Sequence, residues 1–293
     1  ALSRAMSESK ADELVAKALK KLKSFSFFGN KYEDAAELLE KACNQYKLAK
    51  VWRKAGETYL KLAEVNVKLD SEHDSASNYV SAANAYKKVS VEDAVRCLEQ
   101  ATSYFVEAGK LSMAARHYKE IGEMYEQAGE KENSLEYYRR AADLYETEES
   151  TSAANTCKLK VAQFAAELER YEEAVEIFEA VALASLDSNL LRYGAKGHLL
   201  NAGLCRLAQG DAGAVRDALG RYEAMDAGFP DTRECKLLEN VVGAMEEGDV
   251  DVFQQHVYDY DSMTRLDPWK TSLLLKVKKL VETGGGGEEE DLC

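Results

Sequence analysis

Nine basic side chains, Lys50, Lys87, Lys88, Lys110, Arg116, Lys119, Lys158, Lys160 and Lys196, are dispersed through a chain whose formal net charge is −14. Ammonium and guanidinium groups form charge-assisted contacts with carboxylates, so cations gathered on one face of an acidic protein would select an acidic, elongated partner. Solvated surface lysines with no such role are the alternative. A second set has the opposite sign: residues 239–264 carry Glu239, Glu246, Glu247, Asp249, Asp251, Asp259 and Asp261 and no Lys or Arg, a balance of −7. Residues 1–31 have a balance of +4, so the two ends of the chain are suited to different partners. A third set is Phe25-Ser26-Phe27-Phe28, preceded by Lys17, Lys20, Lys21 and Lys23. Apolar wedges beside cations suit weak, reversible contact with an anionic membrane surface: burying one Phe contributes about 1.5–3 kcal/mol and each nearby Lys about 1 kcal/mol. The same Phe residues packing back on the first helices is the alternative. Finally, Leu292 follows four acidic residues near the chain end, as one apolar side chain that charge would guide toward a pocket.

Covalent chemistry has no comparable support. The chain has no Walker A sequence, no H-E-x-x-H and no nucleophile elbow, and Gly284–Gly287 is not a phosphate loop because acids and no Lys or Ser/Thr follow it. His73, His117, His198 and His256 fall in no metal spacing. The six cysteines form no C-x-x-C pair, and four lie within helical patterns, so reduced core thiols are expected. The expectation is a protein that is not an enzyme and takes no cofactor and no metal. The net charge argues against nucleic acid as a partner. No apolar run approaches the roughly 18 residues that span a bilayer, and no signal-peptide h-region opens the chain, which predicts a cytoplasmic protein with at most peripheral membrane association.

A repeat positions these residues. A bulky residue followed by a small pair recurs as Trp52-x-x-Ala55-Gly56-x-x-Tyr59, Tyr79-x-x-Ala82-Ala83-x-x-Tyr86, Tyr118-x-x-Ile121-Gly122-x-x-Tyr125, Lys158-x-x-Val161-Ala162-x-x-Ala165 and Leu199-x-x-Ala202-Gly203, at intervals of 27, 39, 40 and 41. A second block alternates with it: Glu33-Asp34-Ala35, Glu92-Asp93-Ala94-Val95, Glu132-Asn133-Ser134-Leu135 and Glu172-Glu173-Ala174-Val175. Two alternating helical patterns imply an all-α solenoid of stacked helical hairpins. The first pattern resembles the tetratricopeptide signature, with a longer period and hence longer helices. Prolines occur only at 230 and 268, which permits near-continuous helix through residues 1–229. Helices are predicted over about 8–23, 32–48, 51–69, 72–89, 91–108, 112–128, 132–147, 151–168, 172–186, 190–208, 211–225, 232–247, 249–263 and 271–281. The register loosens after Gly210, so the expected organisation is a right-handed stack of hairpins over 1–190, a capping helical bundle over 191–283 and a flexible acidic tail over 284–293.

Beyond this, the chain resembles the α-type soluble NSF attachment proteins over essentially its whole length. The segments that carry the resemblance are Ser26-Phe27-Phe28, Tyr46-Lys47-Leu48-Ala49-Lys50, Ala85-Tyr86-Lys87-Lys88, Ala114-Ala115-Arg116-His117, Tyr145 to Ser150, Arg233-Glu234-Cys235-Lys236-Leu237, Arg265-Leu266-Asp267-Pro268-Trp269 and Glu290-Asp291-Leu292. The resemblance implies an adaptor of SNARE disassembly, monomeric alone, several copies of which wrap the SNARE four-helix bundle and recruit a hexameric AAA+ ATPase. It places bundle-facing cations on Lys50, Lys88, Lys110, Arg116, Lys196 and Arg233, membrane-loop aromatics on Phe27 and Phe28, and ATPase-facing residues on Asp211, Glu246, Glu247 and Leu292. A family lysine falls on Thr156, with Lys158 and Lys160 nearby as substitutes, and a family glutamate falls on Gly243. Read from the residues alone, a tetratricopeptide-like scaffold for acidic or C-terminal peptides, with no membrane role, stays open.

Overall fold

The computed structural model describes residues 2–24 and 30–283. Within them lie fourteen α-helices and one 3-10 turn, and no strand. The helices are α1 (Leu2–Lys23), α2 (Lys31–Leu48), α3 (Trp52–Lys68), α4 (Glu72–Tyr86), α5 (Val91–Glu107), α6 (Leu111–Ala128), α7 (Lys131–Thr147), α8 (Thr151–Glu167), α9 (Tyr171–Leu186), α10 (Arg192–Ala208), α11 (Ala212–Met225), α12 (Arg233–Glu247), α13 (Val250–Met263) and α14 (Pro268–Glu282). The chain divides into two compact units, Ala1–Ala154 and Asn155–Cys293, with the division inside α8.

In the first unit each helix packs on the next along the chain, from α1 against α2 through α6 against α7. The connections repeat a two-residue form. A residue in the left-handed conformation closes one helix and the next residue starts another, as at Lys50-Val51, Asp70-Ser71, Gly109-Lys110 and Gly129-Glu130. The backbone is satisfied by paired bonds, for instance Val51 N–H to Tyr46 C=O at 3.0 Å and Lys50 N–H to Lys47 C=O at 3.0 Å, the hydrogen-bonding of a Schellman motif. Connections this short force antiparallel neighbours.

The small-residue pairs do what their position predicts. A Cβ placed on Gly56 would lie 2.6 Å from the Tyr86 ring, and one on Gly122 would lie 3.1 Å from Tyr138. Ala82 and Ala83 are fully buried. The 27-residue interval also has a physical origin: α3 and α4 are consecutive helices that both carry the bulky-small pattern, whereas the longer intervals each span two helices. Leu39, Tyr59, Leu62, Tyr86, Leu98, Ile121 and Met124 form the main core of this unit.

In the second unit α10 is the central element, packed against α9, α11, α12 and α14. Ten of its residues are buried, including Leu199, Leu200, Leu204, Cys205 and Leu207. Gly203 admits Leu238 of α12: a Cβ there would lie 2.5 Å from Leu238 Cδ1. The start of α14 is anchored by Trp269, whose indole N–H donates to Gln163 C=O at 3.1 Å and whose ring meets Phe178 with centroids 5.5 Å apart. This helix begins at Pro268, three residues before the expected Thr271, because Asp267 caps it, its carboxylate accepting from Lys270 N–H at 2.8 Å.

Candidate functional site

The cations of the first unit stand mostly in turns and not on helix faces. Lys50 occupies the left-handed position after α2, and Lys88 lies in the turn after α4. Because successive helices alternate in direction, these two turns share one edge of the stack, and Lys110, at the start of α6, lies at the other. Arg116 is one and a half turns into α6. Lys50, Lys88, Lys110 and Arg116 are all exposed, and no side-chain ion pair holds them among the described residues. Arg116 lines a groove of about 350 Å³ between α4 and α6, together with Val80, Asn84, Lys119 and Glu123.

Lys87 and Lys119 are committed differently. Lys87 is paired with Glu120, which also bonds His117 Nδ1 at 3.0 Å. Burial raises the Glu120 carboxyl, but hydrogen bonds from His117 and Lys87 and the Lys87 charge outweigh it and hold the group down at about 2. His117 is buried and stacks on Phe105 of α5 with centroids 5.6 Å apart, so it is a core residue tying α5 to α6. Lys119 stands 3.7 Å from Glu123. Lys158 and Lys160 on α8 are half-buried.

The second unit is polarised along its helices. One end gathers Arg192 and Lys196 at the start of α10, Arg233 at the start of α12 and Arg265 beyond the end of α13. Lys196 lies 3.2 Å from Glu234 and 4.7 Å from the centroid of Tyr193, and Arg233 donates to Thr264 Oγ1 at 3.4 Å. Leu190 and Tyr193 beside them are 89% and 82% exposed; residue type alone did not reveal this, because nothing in an apolar residue's identity says that its helix begins clear of the core.

The opposite end holds Asp211, Glu246 and Glu247. Asp211 caps α11, its Oδ1 accepting from Ala214 N–H at 2.8 Å. Arg216 of α11 donates to Glu246 of α12 at 2.7 Å, which brings the start of α11 beside the end of α12 and Asp211 beside the glutamate pair. Glu247 is exposed, and Asp249 and Asp251 follow at the start of α13. Along α12, about 21 Å of helix separates Arg233 from Glu247.

Lys20 and Lys23 are exposed in the last turn of α1, and Lys21 is bound to Asp34 at 2.7 Å. Phe25, Phe27, Phe28 and Leu292 lie outside the described residues. Among the described residues no group of His, Cys, Asp and Glu could hold a metal. Cys43, Cys97, Cys157, Cys205 and Cys235 are buried, and burial pushes the Cys43 and Cys205 thiols up to about 12. No described helix is long and apolar enough to cross a membrane.

Comparison with known proteins converges on one family. Residues 9–282 match the family model described as soluble NSF attachment protein, SNAP. The chain belongs to that family. It is 49% identical over 283 residues to the alpha-soluble NSF attachment protein of Vitis vinifera, covering 97% of this chain and 98% of that protein. It is 39% identical to the alpha-soluble NSF attachment protein of Mus musculus over 293 residues, covering 97% and 98%. A probable vesicular-fusion protein, the sec17 homolog of Schizosaccharomyces pombe, is 37% identical over 287 residues, covering 96% and 98%. Membership of the soluble NSF attachment protein family accords with the helical-hairpin architecture, and these relatives are named for attachment or vesicular fusion and not for a reaction.

Proposed function

We propose that this chain is a non-enzymatic adaptor of vesicle fusion that binds the SNARE four-helix bundle and recruits and stimulates an NSF-type AAA+ ATPase, which disassembles the bundle. Family membership supports the attachment role, and the observation that carries the mechanism is the polarity of the second unit. Lys196 and Arg233 mark one end, and Asp211, Glu246 and Glu247 the other, separated by about 21 Å of packed helix. The basic end, with Lys50, Lys88, Lys110 and Arg116 of the first unit and Lys158 and Lys160 of α8, grips the acidic bundle surface, and exposed Leu190 and Tyr193 add apolar contact. The acidic end engages a basic surface on the ATPase, with the Leu292 side chain as its terminal hook. Force passes through helices whose mutual packing, small residue against bulky one, resists sliding.

Several copies act around one bundle, and a single copy is a monomer in solution. Lys20, Lys21 and Lys23, with Phe25, Phe27 and Phe28, supply weak peripheral contact with a membrane, which the bundle's own anchorage reinforces. The deciding experiment is pull-down of a recombinant SNARE bundle by wild type and by Arg116→Glu with Lys196→Glu. Binding that falls with salt and is lost in the double reversal supports the reading; unchanged capture at physiological salt overturns it. Liposome co-flotation with Phe27→Ser plus Phe28→Ser tests the membrane contact separately, and undiminished flotation would remove that role.

A further inference from the structure

Lys196 is not a free cation. Its ammonium is 3.2 Å from Glu234 Oε1, with side chains 28% and 9% exposed respectively. Glu234 Oε2 is buried and accepts no hydrogen bond from the described protein. The other cations at this end of the unit show the same layering. Arg192 stands 3.6 Å from Asp226, with exposures of 59% and 21%, and Arg265 bonds Asp261 at 2.7 Å, with exposures of 86% and 28%. In each pair the cation faces outward and the acid lies beneath it. Arg233 differs: among the described residues its guanidinium bonds the neutral Thr264 hydroxyl and no carboxylate.

Holding α12 on α10 does not require a carboxylate at Glu234. Taking one out of water with an oxygen unbonded is unfavourable, and a single half-buried ion pair does not reliably offset that. An amide of the same shape would still present an oxygen to the Lys196 ammonium at about that distance. What only the carboxylate does is cancel the Lys196 charge toward an approaching anion.

We propose that Glu234 is a built-in counter-charge that limits the grip of Lys196 on an acidic partner and keeps this end of the protein readily released. The inference rests on the adaptor reading, in which each copy must leave the bundle components after disassembly. A partner carboxylate about 3 Å beyond the ammonium would stand roughly 6 Å from the Glu234 carboxylate, and at an effective dielectric of about 40–80 that repulsion corresponds to roughly a 3–10-fold loss of affinity.

The test compares wild type, Glu234→Gln, Lys196→Met and the double variant. Affinity is measured for a recombinant SNARE four-helix bundle and for a poly-glutamate peptide, over a series of salt concentrations, with thermal unfolding of each variant alongside. Glu234→Gln is expected to bind both anionic probes about 3–10-fold more tightly, with a steeper salt dependence and no drop in Tm, and the gain is expected to vanish in the Lys196→Met background. Equal or weaker binding by Glu234→Gln, a gain that persists without Lys196, or failure of Glu234→Gln to fold would each overturn the proposal, the last because the amide should suffice to hold the helices. If wild type ignores the SNARE bundle while Glu234→Gln still tightens on poly-glutamate through Lys196, the counter-charge stands and the adaptor reading falls.

Discussion

Gly203→Ala and Gly243→Ala are the same chemical change in the same unit, and they should move stability in opposite directions. At Gly203 the new Cβ would meet Leu238 Cδ1 at 2.5 Å and Cδ2 at 2.7 Å, and Leu238 is fully buried, so it cannot swing into solvent. Ordinary carbon contacts are about 3.5–4.0 Å, so α10 and α12 must separate by about 1 Å or Leu238 must leave its rotamer. Overpacking of this kind costs about 1–3 kcal/mol, and the higher helix propensity of Ala returns about 1 kcal/mol, leaving a net loss of up to about 2 kcal/mol. At Gly243 nothing lies within 4 Å of the added methyl, so only the propensity gain of about 0.5–1 kcal/mol remains. For a unit of this size each kcal/mol moves Tm by about 2–4 °C. Differential scanning calorimetry should therefore show a fall of several degrees for Gly203→Ala and a rise of about 1–4 °C for Gly243→Ala. A Tm for Gly203→Ala equal to or above that of Gly243→Ala would refute the close approach of α10 and α12, and with it the reason for the small residue in the repeat.

Other predictions concern single groups. Glu120 is held at about 2 in the folded chain against about 4.5 unfolded, so its contribution is complete above about pH 4.5 and is lost as pH falls toward 2. Glu120→Gln should cost on the order of 3 kcal/mol near pH 6 by urea unfolding, and that gap should close in acid; a gap independent of pH would contradict the assignment. Glu149 holds a left-handed conformation at φ 53°, so Glu149→Gly should stabilise the protein by about 0.5–1 kcal/mol, measured the same way. Gly243→Glu adds an acid one turn before Glu247 and should strengthen binding of the ATPase in low salt; unaltered affinity would separate Gly243 from that surface. Leu292→Ala should leave assembly with the bundle intact and lower the stimulated rate of ATP hydrolysis.

Much of the fold was legible because it rests on short-range rules. The bulky-small pattern located the close helix contacts at Gly56, Gly122 and Gly203, and most helix ends fell within a few residues of those observed. Two ends moved for local reasons. The first helix begins at Leu2 and not near residue 8, and the Asp267-Pro268 pair, a cap followed by a proline, is the signal that would have placed the start of α14 correctly. The left-handed turns at Gly109 and Gly129 were marked by glycine, whereas those at Lys50, Asp70, Glu149 and Glu169 carry no such mark.

The site was legible in residue type and not in commitment. Nothing about adjacent Lys87 and Lys88 says that one is bound to Glu120 and the other is exposed, since the difference depends on which residue of α6 lies opposite. Likewise Lys196 and Arg233 read alike as cations, but only Lys196 has a buried acid beneath it. The gathering of Asp211 with Glu246 and Glu247 follows from the packing of α11 on α12, which no sequence spacing encodes.

In the proposed role this helical protein couples an acidic coiled cargo to a motor. ATP hydrolysis by the NSF-type hexamer, measured with this protein in the presence and absence of a SNARE four-helix bundle, tests it most directly. Hydrolysis should rise with this protein and rise further with the bundle, with loss of the bundle itself over the same period. A rate that this protein leaves unchanged, with the bundle intact, would contradict the account.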